Sequence, residues 1–176
     1  QIGSDIDGEA AGDKSGYAVS LSSDGSIVAI GAHGNDANGS TSGHVRIFKN
    51  LNDTWTQIGS DIDGEAAGDG SGNSVSISAD GSVVAIGAMH NDGNGIHSGH
   101  VRIFKNINDT WTQIGSDIDG EAVGDFSGDA VSLSSDGSVV AIGAPYNDDN
   151  GIVLGSSGHV RIYEIDSTEG AINKSI

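Results

Sequence analysis

At 176 residues the chain has room for the core of one ordinary domain, and no stretch approaches the roughly 18 consecutive apolar residues of a membrane span. Its 25 acidic and 7 basic residues leave a net charge of -18, which excludes a nucleic-acid or anionic-membrane surface, because both need a basic face. The absence of cysteine excludes a disulfide framework and a thiolate metal site, and no basic-then-apolar signal segment opens the sequence, so in an exported protein the signal would already be gone.

The segment QIGSDIDGEA begins at Gln1, Gln57 and Gln113, so the chain is one 56-residue unit written three times. Residues 1–56 and 57–112 differ at 12 positions, among them Lys14/Gly70, Tyr17/Asn73 and His33/Met89, and the third copy carries three extra residues between Gly143 and Gly158. The organisation expected is a single array of repeats 1–56, 57–112 and 113–166 with a C-terminal tail, 167–176. Such a unit rarely folds alone, and its function lives on the surface that stacking creates.

Four strands are expected in each copy. Tyr17 to Ser22 alternates with period two, placing Tyr17, Val19 and Leu21 on a buried face. Asp24-Gly25 then suits a tight hairpin with left-handed dihedrals, recurring at Asp80-Gly81 and Asp136-Gly137. Ile27 to Ala32 is apolar at nearly every position, as a strand covered on both faces would be. After a loop rich in Asn, Asp and Gly, His44 to Lys49 alternates again with Val45 and Ile47 inward, and Thr54 to Gly59 supplies a fourth strand. No 3.6-residue period occurs, so the reading is all-β.

Four antiparallel strands per unit, in tandem, describe β-propeller blades, here three of them; a β-trefoil is the alternative. Gln1 to Ile6 corresponds to the end of a fourth strand, and the last copy stops after its third. The N-terminal strand is therefore expected to complete the last blade, either in its own chain or in a partner chain, which would give a ring of six.

Three constellations carry candidate chemistry. Asp5, Asp7, Glu9 and Asp13, repeated as Asp61, Asp63, Glu65, Asp69 and as Asp117, Asp119, Glu121, Asp125, place carboxylates at alternate positions as a calcium loop does; the competing reading is a capped turn with solvated neighbours. Asn35, Asp36 and Asn38, with Asn91, Asp92, Asn94 and Asn147, Asp148, Asp149, Asn150, would offer oxygen groups to calcium or to a glycan, or simply form Asx turns. His44, His100 and His159, each two residues before Arg46, Arg102 or Arg161, would converge on an anion or a metal, or pair with nearby carboxylates. Trp55 and Trp111 are read as covering the core between blades rather than stacking on sugars. Asn52 and Asn108 head glycosylation acceptor triplets, as do Asn38 and Asn173. No Cys nucleophile, His-Glu zinc motif, phosphate-cradling loop or Gly-x-Ser-x-Gly elbow occurs, and the abundant carboxylates recur in every copy, whereas catalytic sites usually break symmetry.

Phe126-Ser127-Gly128, Ala141 to Pro145 and Ser157 to Tyr163 together resemble the FG-GAP repeat of integrin-α-like propellers, along the full unit and in all three copies. Copies one and two depart from it with Lys14-Ser15-Gly16 and Gly70-Ser71-Gly72 at the first signature, and with His33 or Met89 in place of Pro145 at the second. The resemblance implies a secreted or cell-surface, non-enzymatic binding or adhesion module. It would present acidic loops to a protein or glycan, with calcium as its cation, while self-association through the N-terminal strand is expected from the offset of the repeats. The alternative is a structural repeat protein that assembles into a ring or filament without a small ligand.

Overall fold

A computed structural model of the chain describes residues 1–148, 156–166 and 171–174. Every described element is a β-strand, and the strands form three antiparallel sheets, one per copy. In the first sheet β1 (Ala18–Leu21), β2 (Ile27–Ala32), β3 (His44–Leu51) and β4 (Thr54–Gln57) lie side by side in chain order, and a two-residue strand, β5 (Ile62–Asp63), continues along the edge of β3 past the end of β4. The second sheet repeats this with β6 (Ser74–Ile77), β7 (Val83–Ala88), β8 (His100–Ile107), β9 (Thr110–Gln113) and β10 (Ile118–Asp119). The third holds β11 (Ala130–Leu133), β12 (Val139–Ala144), β13 (His159–Asp166) and β14 (Ala171–Lys174).

The turns follow from local chemistry. At the first hairpin the Asp24 carboxylate accepts hydrogen bonds from Ser26 N (2.9 Å), Ser22 Oγ (2.7 Å) and Ser26 Oγ (2.8 Å), which hold its pKa down to about 2. Asp136 is likewise held at about 2, and Asp80 is lowered by the same contacts. Only the glycine of each Asp-Gly pair is left-handed, and the loop closes through Ser22 N to Ile27 O, so the turn is longer than the tight two-residue form expected. That form occurs instead between β3 and β4, where Asn52 and Asp53 have φ of 53° and 61°.

The sheets stack face to face as consecutive propeller blades do, with first strands innermost: Ile77 N donates to Ser20 Oγ, and Leu133 N to Ser76 Oγ. Between sheets one and two, Ala29, Val45 and Ile47 meet Ile77, Val84, Ile86 and Phe104. Between sheets two and three, Ala85, Val101 and Ile103 meet Val140, Ile142 and Tyr163. Each QIGSDID segment is a wedge in this stack. Ile58 N bonds Ile47 O and Ile62 pairs with Val45 in sheet one, while Ile58 O accepts Trp111 Nε1 and Asp63 O accepts Arg102 Nη2 from sheet two.

Four expectations change. β3 and β8 are buried on both faces over their first five residues, because the wedge covers the face that carries His44, Arg46 and Phe48. Gln1 to Ile6 forms no strand; it is the wedge of the first sheet, with Ile2 O accepting Trp55 Nε1 and Ile6, like Trp55, packed against the cluster of Val28, Ile30 and Phe48. The fourth strand of the third sheet is β14, from the segment read as a tail, so the N-terminal segment does not fill that place. Finally, Tyr17, Val19 and Leu21 are exposed at 59–62%, although their counterparts Val75 and Ile77 pack against sheet one.

Candidate functional site

The turn before the first strand and the loop between the second and third strands lie at one end of every sheet, and two groups of side chains gather there. The first stands on β3 and β8. His44 is 1% exposed, and its Nδ1 has no hydrogen-bond partner. Glu9 Oε2 lies 3.8 Å from that nitrogen and Asp61 Oδ2 3.9 Å, one carboxylate from each flanking wedge. The cluster recurs as His100, Glu65 and Asp117, with 3.7 Å from His100 Nδ1 to Glu65. The separations of 3.7–3.9 Å from imidazole to carboxylate exceed hydrogen-bond length and are near the roughly 3.4 Å expected between donors sharing an ion through bonds of about 2.1 Å, and within each cluster all three ligand atoms lie within 4.8 Å of one another. These side chains are therefore able to hold a metal ion. Arg46 Nη1 stands 3.6 Å from Glu9 Oε1 and partly neutralises it.

Burial, helped by the Arg102 guanidinium, holds the His100 pKa below its ordinary value, and burial raises that of Glu65. His100 is thus a neutral imidazole at pH 7, the form that ligates metals, rather than a cation paired with Glu65. The third cluster has His159 Nδ1 3.6 Å from Glu121, but among the described residues no counterpart of Asp61 or Asp117.

The structure divides the calcium-loop carboxylates among different tasks. Asp13 is buried and caps a turn, accepting from Ala10 N (3.0 Å) and Asn35 Nδ2 (3.1 Å); Asp69 and Asp125 do the same. Asp5 accepts from Gln1 Nε2, and Asp7, Asp63 and Asp119 offer their carbonyls to Arg46, Arg102 and Arg161. Only Glu9, Asp61 and their repeats meet, across copies and around a histidine. A calcium loop within one copy is thus not formed, because hydrogen bonds within the fold turn its side chains apart.

The second loop set is likewise committed to structure. Asn35 Oδ1 caps Ala37 N, Asp36 Oδ1 caps Thr41 N, and Asn38 Nδ2 donates to Gly64 O and Glu65 O. Asn91, Asp92 and Asn94 repeat each contact, and Asn147 holds Asp125. Asp148 is exposed, while Asp149, Asn150, the three inserted residues' surroundings at 151–155 and Ser175 lie outside the described residues. Asn52 and Asn108 sit on exposed turns.

The second group was not singled out in the sequence. Six of the 12 differences between copies one and two exchange small or aliphatic residues for their like. The other six, Lys14/Gly70, Tyr17/Asn73, His33/Met89, Gly34/His90, Ser40/Ile96 and Thr41/His97, all fall in the turn and loop at this one end. The third copy adds Phe126 and Tyr146 at two of the same positions. There Tyr17 packs on His33 (ring centroids 4.0 Å), and His90, His97, Phe126 and Tyr146 form a chain of aromatic contacts at 5.2–5.6 Å. A cleft of about 280 Å³ opens beside them, bordered by Lys14, His33, Met89 and His90. Burial lowers the pKa of His33 and His90, with Lys14 and His97 adding to the effect, so both rings are neutral at pH 7.

Similar proteins place the architecture. The chain has the β-propeller fold: it resembles β-propeller structures at 12–18% identity, which bears on the fold alone. A protein provisionally assigned as a 6-phosphogluconolactonase from Bacteroides uniformis is 18% identical, over 89% of this chain and 39% of that one, with a TM-score of 0.58. Sqt1 of Saccharomyces cerevisiae gives 14%, 93%, 35% and 0.58, and the periplasmic gluconolactonase PpgL of Pseudomonas aeruginosa 12%, 90%, 44% and 0.54. The chain thus spans less than half the length of each. Residues 6–48 match the FG-GAP repeat, the repeat that the sequence resembles. No curated protein matches the chain. Among the described residues no helix is long and apolar enough to cross a membrane.

Proposed function

We propose that the chain is a non-enzymatic binding module whose ligand surface is the aromatic and histidine-bearing end of the stack, with divalent cations tying adjacent wedges together beneath it. One observation carries the reading: copies one and two, otherwise held alike, differ in size and chemistry only at that end, and the third copy places Phe126 and Tyr146 at two of the same positions. A scaffold needs the same residue at the same place in each blade, whereas a surface that recognises an asymmetric ligand needs different ones. Neutral His33 and His90, half-exposed Tyr17 and Tyr146, and a strongly acidic surround suit a glycan, whose ring faces stack on aromatics and whose hydroxyls bond carboxylates and imidazoles. The FG-GAP resemblance adds the expectation of an exported adhesion protein that acts on protein or glycan partners.

The lactonases among the similar structures raise an enzymatic alternative, but nothing in the repeated His–carboxylate clusters distinguishes one copy as a reaction centre. The donor set of one imidazole and two carboxylates favours zinc or manganese over calcium, which prefers an all-oxygen shell.

Binding to a glycan array and to immobilised matrix proteins tests the ligand surface. Phe126→Ala with Tyr146→Ala is expected to abolish at least nine-tenths of the wild-type signal; unchanged binding by a folded double variant would refute this surface. For the cations, melting in EDTA against millimolar Zn²⁺ or Mn²⁺ should show a rise that His44→Ala and His100→Ala together remove. A melting point indifferent to both metals would dismiss the clusters as ion sites.

A further inference from the structure

The two outer faces of the three-sheet stack are the two halves of an interface that the molecule already contains twice. In sheets one and two the face turned towards the next copy is closed: Val45, Ile47, Val101 and Ile103 are at most 1% exposed. On sheet three the same positions, Val160 and Ile162, are exposed at 67% and 51%. At the opposite end, Val19 and Leu21 are exposed at 62% and 59%, whereas Ile77, the counterpart of Leu21, is at 7%. The wedges agree. Ile58 and Ile114 are 8% and 5% exposed, each donating its N–H to a third-strand carbonyl at 2.8 Å, while Ile2 is 63% exposed.

The glycines make the complementarity specific. A Cβ at Gly31 would collide with Gly72 O, and one at Gly87 with Gly128 O, because neighbouring sheets touch backbone to backbone there. Gly143 holds the same place in sheet three, yet a Cβ there would meet nothing closer than 3.5 Å, from Ala130. Its φ is not in the left-handed region, so no turn requires glycine. A glycine inside a strand costs stability unless another backbone must come close. The backbone that fits is Gly16, the counterpart of Gly72 and Gly128.

We infer that sheet three of one chain docks head-to-tail on the N-terminal wedge and first sheet of a second copy. In that docking Ile2 and Ile6 of the second copy reach the carbonyl of Ile162 and the backbone of Val160, as Ile58 and Ile62 do on β3. Asp5 of the second copy takes the place of Asp61 and Asp117, completing the Glu121–His159 cluster, whose histidine side chain is 23% exposed against 1% and 2% in the closed clusters. The interface is heterologous, so two chains with two such contacts close a ring of six sheets.

Light scattering on the 176-residue chain in EDTA tests the docking apart from any metal. The expected mass is twice the 17.6 kDa of one chain. Leu21→Asp damages one face and Val160→Asp the other, both at exposed positions that leave the fold intact by circular dichroism, and each alone is expected to be monomeric. An equimolar mixture should recover the doubled mass, because one sound face of each kind remains. A monomeric wild type at about 100 μM, single variants that keep the doubled mass, or a mixture that stays monomeric would each overturn the inference. Titration with Zn²⁺ adds a count that rests on the cation reading: three ions per chain in the wild type and two in Val160→Asp. Two in both would overturn the completion by Asp5, while the mass reports the docking independently.

Discussion

Strands β8 and β13 carry the same inward sequence and meet different fates: Val101 and Ile103 are fully buried, while Val160 and Ile162 stand in the open. The difference lies in their neighbours, since sheet three packs on the inward face of β8, whereas among the described residues no sheet packs on the same face of β13. Burial in a repeat stack is thus a property of the interface between copies, and an apolar pattern in one copy specifies a partner rather than a core.

Substitutions at matched positions sharpen that contrast. Ile103→Ala removes a fully buried side chain and should cost about 2–5 kcal/mol in urea unfolding, whereas Ile162→Ala should cost under about 1 kcal/mol in the monomeric form. Equal losses would show that the two faces are covered alike even in a lone chain. Next in size is Gly87→Ala, which must push Gly128 away and should cost about 1–3 kcal/mol, while Gly143→Ala should leave the monomer's stability within about 0.5 kcal/mol but weaken association. Asp69→Ala, which uncaps Ala66 N and releases Asn91, should cost about 1 kcal/mol by the same measurement.

The smallest effect is on pH dependence. The folded pKa values of Asp24 and Asp136 lie at about 2, below the ordinary 3.8, so the stability they contribute is complete above pH 4 and is lost as the pH falls through 2. His33 and His90 are lowered from 6.5 in the folded state, so protonation favours the unfolded chain and stability declines as the pH drops below 6.5. Acid melting curves of Asp136→Asn should lack the lowest-pH step, and those of His90→Gln should lose part of the decline below 6.5. Curves identical to wild type would remove these groups from the account.

The sheet order was legible because Tyr17 to Ser22, Ile27 to Ala32 and His44 to Lys49 carry their period in the residues themselves. The wedge was not. In Asp61-Ile62-Asp63 the acidic residues suggest a ligand loop, and the one apolar residue that pairs with Val45 is too little for a strand signal. The fourth strand of the third sheet, Ala171–Lys174, was hidden by its lack of the Thr-Trp-Thr-Gln signature of β4 and β9. Of the candidate site, His44 and its repeats were visible as a constellation, but their carboxylate partners come from two different copies, a pairing that only the stack creates. The aromatic end did leave a mark, in where copies one and two part company at Tyr17/Asn73, Gly34/His90 and Thr41/His97. That mark becomes readable once turn and loop are known to meet at one end.

Hydrogen exchange of residues 159–163 against 100–104, followed in one sample across a dilution series, tests most directly whether the open face of β13 is half of an interface. The account predicts that the two segments exchange with equal slowness at high concentration and that 159–163 accelerates on dilution while 100–104 does not. Exchange at 159–163 that is fast at every concentration would contradict it.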